Sequence, residues 1–151
     1  MAAGPDSRRG PPGAVVATPF VFPVSVYYED TDHSGVVYHA NYLKYFERAR
    51  EHVLGRDELT RMYREDGLGF VVYKAEMTFH EGAVFGDELE VRTTIEVESP
   101  YRAVFHQAVW RPGGIKAMVD SRIQLVCVKG TQLVPLPEPV MVRARATGAV
   151  D

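Results

Sequence analysis

The spacing of apolar side chains changes once along this chain, and this change limits the folds that it can adopt. Between Asn41 and Gly55, apolar residues recur at the spacings that place side chains on one face of a helix: Tyr42, Tyr45, Phe46, Ala49 and Val53. In the later segment LEVRTTIEV, positions alternate between the two faces of a strand with one buried side. The sequence therefore predicts one long amphipathic helix followed by strands.

The flanking segments complete an α+β fold. FVFPVSVYY, which begins near Phe20, is rich in β-forming residues and predicts a first strand, and Asn41 and Gly55 are the expected cap and stop of the long helix. A shorter helix is expected next. Four strands are then expected in FVVYKAEMTFH, LEVRTTIEV, YRAVFHQAVW and IKAMVDSRIQLVCV. The expected architecture is an antiparallel five-stranded sheet wrapped around one long central helix.

Composition divides the chain into one domain with two flanking segments. Residues 1–17 are rich in Pro, Gly and Ala and predict a disordered leader, because they offer little apolar surface to bury. Residues 18–140 are expected to form the domain. The segment LVPLPEPVMV contains too many prolines for a central strand and is expected to lie along the surface, with residues 141–151 as a C-terminal tail.

Charge and cysteine content exclude several classes of function. A formal net charge of −3 gives no general attraction to nucleic acid or to an anionic membrane, so a small-molecule partner is expected. The single cysteine, Cys127, rules out an internal disulfide framework and fits a reducing cytoplasm. The open edge of the predicted sheet favours covering by a second copy, so we expect a homodimer or homotetramer.

Reactive side chains are concentrated in EDTDHSGVVYHANY, residues 29–42. A calcium loop is one interpretation, because the segment from Asp30 to Gly35 matches the start of an EF-hand, but position 12 is Asn41 instead of glutamate. A transition metal held by Asp32, His33 and His39 is another, but no second cluster is available to complete the shell. No metal is therefore expected.

A third interpretation is catalytic. The segment places a carboxylate just before a helix N-terminus, where unpaired N–H groups can stabilise an oxyanion developing on a carbonyl. A carboxylate nearby can act as a nucleophile or as a general base toward water. These features suit acyl hydrolysis without serine or cysteine, although a plain turn or cap explains an Asp-rich stretch equally well.

The stretch YYEDTDHSGVVYHANYLKYFERARE resembles the signature of the hot-dog-fold acyl-CoA thioesterases, in the branch of 4-hydroxybenzoyl-CoA thioesterase and the YbgC-type enzymes. The pattern D-x-D-x-x-G-x-V-[YW]-x-x-N-Y is matched from Asp30 to Tyr42, and the similarity extends over about residues 20–140. This resemblance implies a hot-dog fold, in which the sheet wraps around the helix.

The resemblance also implies residue roles. Asp32 matches the catalytic carboxylate, whereas Asp30 is structural. His39 stands where a main-chain N–H polarises the thioester carbonyl, and its side chain is expected to assist. The residues expected to bind substrate are Gly35, Val37, Tyr38, Asn41, Tyr42 and Arg102.

The implied function is hydrolysis of an acyl-CoA to a free acid and CoA, without a cofactor. Because only Arg102 is available to meet nucleotide phosphates, an acyl carrier protein thioester is also possible. The alternative from another class is a non-catalytic acyl-CoA-binding module. Glu47 on the long helix is a second candidate carboxylate, and a dehydratase is disfavoured because the motif is of a different type.

Overall fold

The computed structural model describes residues 17–148 and has the predicted α+β architecture. The expected disordered leader, residues 1–17, lies outside the described residues except for Ala17. The strands are β1 Phe20–Ser25, β2 Leu68–Phe79, β3 Glu88–Ser99, β4 Arg102–Trp110, β5 Val119–Lys129 and β6 Gln132–Val134. The helices are α1 Tyr42–Leu54, α2 Arg56–Asp66 and α3 Glu138–Thr147.

All strand pairs of the described sheet are antiparallel, in the order β1-β3-β4-β5-β2, and the short strand β6 pairs with β5. The five predicted strands are confirmed, and β6 is an addition. Pro23 lies in β1 at one edge of this order, which is where a sheet tolerates a residue without an N–H.

Helix α1 packs on one face of the sheet through the residues that its apolar spacing predicted. These side chains are all buried: Tyr42, Tyr45, Phe46, Ala49 and Val53. They share one core with apolar residues of β3, β4 and β5, such as Ile95, Phe105 and Ile123. The prediction of a central helix against an antiparallel sheet is therefore confirmed.

Strand β2 is much less covered than the other long strands. Val71, Val72 and Tyr73 are 46%, 43% and 44% exposed, although they are large apolar residues in a twelve-residue strand. Phe79, at the end of the strand, is 48% exposed. β2 is the last strand of the sheet order, so one chain by itself leaves an apolar edge open.

The C-terminal segment forms a helix that the sequence analysis did not predict. Pro139 falls in the first turn of α3, where a missing N–H costs nothing, so the prolines start this helix instead of preventing it. Val140 is fully buried, and the Thr147 hydroxyl accepts the N–H of Ile95 on β3 at 3.0 Å. The expected domain end at residue 140 falls inside α3.

A polar cluster lies inside the core between α1 and the sheet. Arg50 is only 9% exposed and donates through Nη1 to the side-chain carbonyl of Gln107 at 3.0 Å. The Gln107 amide donates in turn to the carbonyl of Phe46 and to the hydroxyl of Thr93. Gln107 therefore holds the middle of α1 against β3 and β4.

We expect Gln107→Leu to lower the free energy of unfolding by about 2–4 kcal/mol, because it leaves the buried Arg50 guanidinium without this acceptor. Urea denaturation measures the loss. The control is Gln132→Leu on the exposed strand β6, which should change stability by less than about 0.5 kcal/mol. Equal stability of the two variants would show that the cluster does not hold α1 in place.

Candidate active site

The loop between β1 and α1 turns sharply at Asp32. The Asp32 N–H donates to the carbonyl of Val36 at 2.9 Å, and the Gly35 N–H donates to the carbonyl of Asp32 at 3.0 Å. Gly35 has a φ of +83°, which a residue without a Cβ adopts at little cost. The turn therefore fixes the backbone on both sides of the Asp32 carboxylate.

The Asp32 carboxylate is half-buried and only partly engaged by the protein. Its Oδ1 accepts the N–H of Ser34 at 2.8 Å. Within residues 17–148, no hydrogen bond or ion pair involves Oδ2. One oxygen is thus held in place while the other is available for chemistry.

Asp30, two residues earlier, ties the same loop to α1. Its Oδ2 accepts the N–H of Tyr27 and the hydroxyl of Tyr45, both at 2.9 Å, and its carbonyl accepts the Tyr38 N–H and the Asn41 amide. Burial, followed by the hydrogen bond to Asp30, raises the pKa of the Tyr45 hydroxyl. The Asp30 carboxylate is therefore occupied by structural hydrogen bonds.

The helical segment begins earlier than α1 itself. A 3₁₀ turn, His39–Asn41, runs directly into α1, and the first N–H groups of such a segment have no intrahelical acceptor. None of the hydrogen bonds found within residues 17–148 involves the N–H of His39 or Ala40. Asn41 precedes α1 as expected, but its side chain makes no capping hydrogen bond.

Asp32 and the start of this helical segment share a cavity of about 370 Å³. One wall comes from the loop and helix start: Asp32, Val36, Val37, His39 and Tyr42. The opposite wall comes from the end of β2 and the residues after it: Phe79, His80, Glu81 and Gly82. The cavity therefore combines an available carboxylate oxygen, the first residue of a helical segment and apolar surface.

Tyr42 is the most buried polar group of this cavity. It is 2% exposed, and its hydroxyl oxygen accepts the N–H of Ala83 at 3.4 Å. Burial raises the pKa of this hydroxyl above its ordinary value; the nearby charges of Asp87 and Glu81 act in the same direction, and that of Arg111 acts against them. The hydroxyl stays protonated and keeps a donor hydrogen near the cavity.

The remaining predicted site residues lie around or away from the cavity. Gly35 is exposed in the turn, Tyr38 is 45% exposed with its ring 4.4 Å from that of His39, and Asn41 bonds to Asp30. These three support the loop that carries Asp32. None of them lines the cavity.

Arg102 is far from Asp32 within one chain. It pairs with Val126, which pairs with Val71 near the start of β2, whereas the cavity lies at Phe79 at the end of β2. Eight residues of strand separate Val71 from Phe79, or about 26 Å at roughly 3.3 Å per residue. The guanidinium carbon of Arg102 lies 5.3 Å from the centroid of the Tyr73 ring.

The wall formed by Phe79, His80, Glu81 and Gly82 was missing from the sequence prediction. These residues follow a strand and carry no recognisable motif of their own. Antiparallel pairing and the Val36–Val84 bridge bring them against a loop that lies more than forty positions earlier. Only the strand register could have placed them there.

Alternative reactive groups have other environments. Glu47 forms no ion pair within residues 17–148 and lines a separate groove with Arg50. Burial raises the pKa of the Cys127 thiol, which disfavours the thiolate. Within the described part of the chain, no three His, Cys, Asp or Glu side chains are grouped to hold a metal ion, and no helix is both long and apolar enough to cross a membrane.

The fold and this cavity define the hot-dog class, and comparisons with known proteins agree. The profile of the thioesterase-like superfamily matches residues 26–144. A solved 1,4-dihydroxy-2-naphthoyl-CoA thioesterase from Synechocystis is 25% identical with a TM-score of 0.76, covering 83% of this chain and 95% of that one. A probable thioesterase from Bartonella henselae is 31% identical with a TM-score of 0.68, covering 80% and 99%.

Among curated proteins, the acyl-CoA thioesterase YbgC of Haemophilus influenzae is 35% identical over 127 residues, covering 83% of this chain and 92% of the relative. The acyl-CoA thioester hydrolase YbgC of Escherichia coli is 33% identical over 127 residues, covering 82% and 94%. This chain belongs to the thioesterase-like superfamily. The resemblance to the YbgC branch and the prediction of an enzyme of the thioesterase type are thereby confirmed.

Proposed function

We propose that this protein hydrolyses acyl-CoA thioesters to a free carboxylic acid and CoA, with Asp32 as the reacting carboxylate. The observation that carries the proposal is the shared cavity of Asp32 and the helix start at His39. The names of the relatives support the substrate class, since the YbgC proteins of H. influenzae and E. coli are an acyl-CoA thioesterase and an acyl-CoA thioester hydrolase.

The free backbone N–H groups at His39 and Ala40 supply the oxyanion site. The thioester carbonyl oxygen accepts from these N–H groups, and the helix start adds a partial positive charge where negative charge develops. The Tyr42 hydroxyl is a further donor near the same cavity. The His39 imidazole, in contact with the rings of Tyr38 and Phe79, supports the position of the turn and assists proton transfer.

Asp32 acts through its unengaged Oδ2, while the Ser34 N–H holds Oδ1. As a general base, Oδ2 takes a proton from water; the water oxygen bonds to the carbonyl carbon, the carbon–sulfur bond breaks, and the proton passes to the departing thiolate. As a nucleophile, Oδ2 attacks the carbon itself, the thiolate leaves, and water then hydrolyses the mixed anhydride. Both routes consume one water molecule and release one carboxylic acid and one thiol.

The active unit is a dimer or a dimer of dimers, joined through β2. Pairing β2 with β2 of a second copy covers the exposed edge at Val71, Val72 and Tyr73. Antiparallel pairing also brings the start of one β2 strand beside the end of the other. Arg102 of the second copy then approaches the cavity of Asp32, where it can meet a phosphate of the substrate.

Two further features complete the proposal. We assign a single cation, Arg102, to the phosphates of the substrate. Because an acyl carrier protein thioester has only one phosphate, the proposed substrate class includes such thioesters as well as those of CoA. The buried thiol of Cys127 suits a cytoplasmic location.

The test is a panel of acyl-CoA thioesters of different acyl groups, with a thiol reagent to follow release of CoA. We expect turnover on at least one of them, and matched acyl carrier protein thioesters compare the two carriers. If the protein binds acyl-CoA but releases no thiol, the proposal of an enzyme is wrong and the protein is a non-catalytic acyl-CoA-binding module.

A further inference from the structure

Arg111, the residue directly after β4, joins the two ends of the segment that follows β2. Its Nη2 lies 3.0 Å from Oε1 of Glu81, and its Nη1 lies 3.2 Å from Oδ2 of Asp87. The same Asp87 oxygen accepts the N–H of Val84 at 3.0 Å. One guanidinium therefore clamps the segment from residue 81 to residue 87.

This segment supports the loop that carries Asp32. The carbonyl of Ala83 accepts the N–H of Val37 at 2.8 Å, and Val84 forms a β-bridge with Val36. At the other end, the carbonyl of Asp87 accepts the N–H of Val26 at 2.9 Å. A shift of the segment would be passed directly to the turn that holds Asp32.

The clamp also sets the charge beside the cavity. Glu81 lines the cavity, and Glu81 and Asp87 carry two negative charges against the single positive charge of Arg111, a sum of −1. Without Arg111 the sum is −2. The charges of all three residues also influence the pKa of the Tyr42 hydroxyl, which lines the cavity, although burial is the larger cause of its shift.

We propose that Arg111 is a positioning residue of the active site: it holds the segment from Glu81 to Asp87 against the catalytic loop and offsets the two carboxylates beside the reacting groups. The inference rests on the proposed hydrolysis at Asp32. Arg111 acts through Glu81 and Asp87 and does not line the cavity itself.

Other titratable groups lie on the elements around Asp32 and need to be held constant in the test. They are Asp30 and His33 on its own loop, His39 and Tyr42 at the helix start, and His80 and Glu81 on the opposite wall. His80 is already paired with Asp120 of β5 at 2.8 Å. A substitution at Arg111 changes the chemical identity of none of these residues.

The experiment compares Arg111→Gln and Arg111→Lys with the parent in kcat, KM and pH–rate profiles. Extra negative charge makes a carboxylate harder to ionise, so Arg111→Gln should move the acid limb to higher pH by on the order of half a pH unit. It should also lower kcat on the plateau about three- to tenfold, because the oxyanion is stabilised less. Higher salt should shrink the shift.

Arg111→Lys keeps the charge but cannot bridge both carboxylates as a planar fork does. We expect its acid limb to stay at the parental pH while kcat falls less than in Arg111→Gln. Arg61→Gln is the matched control, because Arg61 bridges Glu58 and Glu65 in the same way on the surface of α2, away from the cavity. Its pH profile and kcat should equal those of the parent.

The outcomes separate this inference from the proposed function. If the parent turns over acyl-CoA and Arg111→Gln has the same kcat and pH profile, the positioning role of Arg111 is rejected and the proposed hydrolysis stands. If Arg111→Gln and Arg61→Gln lose the same fraction of activity, the effect is general to surface ion pairs and the inference fails. If the parent turns over no acyl-CoA, the proposed function is wrong, and so is the role of Arg111 that depends on it.

Discussion

Asp32→Asn should lower kcat by on the order of 10²–10⁴ while the fold and the affinity for acyl-CoA persist. Asparagine keeps the shape of the side chain and the acceptor that bonds the Ser34 N–H, but it cannot attack a carbonyl or take a proton from water. Turnover is measured by thiol release. Binding is measured by calorimetry with the same acyl-CoA, because the variant is expected to bind this compound without hydrolysing it.

Asp30→Asn is the matched control, because it makes the same chemical change two residues away. The Asp30 carboxylate accepts from the Tyr27 N–H and the Tyr45 hydroxyl, and an amide oxygen can accept from the same donors. We expect a loss of stability of about 1 kcal/mol and a change in kcat far smaller than that of Asp32→Asn.

The two variants also decide which carboxylate reacts. If Asp32→Asn hydrolyses acyl-CoA as fast as the parent, the reaction does not depend on Asp32, and Glu47 on α1 becomes the next carboxylate to test. Glu47 lines a groove with Arg50, Phe70 and Val72, separate from the cavity of Asp32. Loss of folding in Asp32→Asn would instead give the acid a structural role.

The elements of this fold could be predicted where one physical signal dominated. The helical spacing from Tyr42 to Val53 and the alternation in β3 both reflect burial of one face, so sequence alone located α1 and the long strands. Helix α3 lacked this signal. Its prolines argued against regular structure, and contacts with the core that no local pattern shows, such as that of Val140, make the helix favourable there.

The candidate site was predictable to the extent that it is local in sequence. Asp32, Val37, His39 and Tyr42 come from one motif and line one cavity. The opposite wall and the Arg111 clamp depend on strand register over long sequence separations, which no short pattern encodes. The distance of Arg102 from the cavity follows from the same register, and for this reason the proposed function takes that cation from a second copy.

The proposed role of the second copy leads to the other large effect. Val72→Asp should convert the protein to monomers and lower kcat/KM by on the order of 10²-fold or more at low protein concentration. Val72 is 43% exposed in the single chain, so its replacement leaves the core of that chain intact. Across a paired β2 edge, however, a short carboxylate is buried without a partner, which costs several kcal/mol.

Val21→Asp is the control, since Val21 is 48% exposed in β1, which lies at the opposite edge of the sheet order from β2. It should stay oligomeric and fully active. Light scattering gives the mass of each variant, and circular dichroism checks that Val72→Asp remains folded. Because association follows mass action, the specific activity of Val72→Asp should rise with its concentration as dimers form again. A folded Val72→Asp monomer with parental activity at every concentration would show that one chain holds the complete site, and Arg102 would then have no part in it.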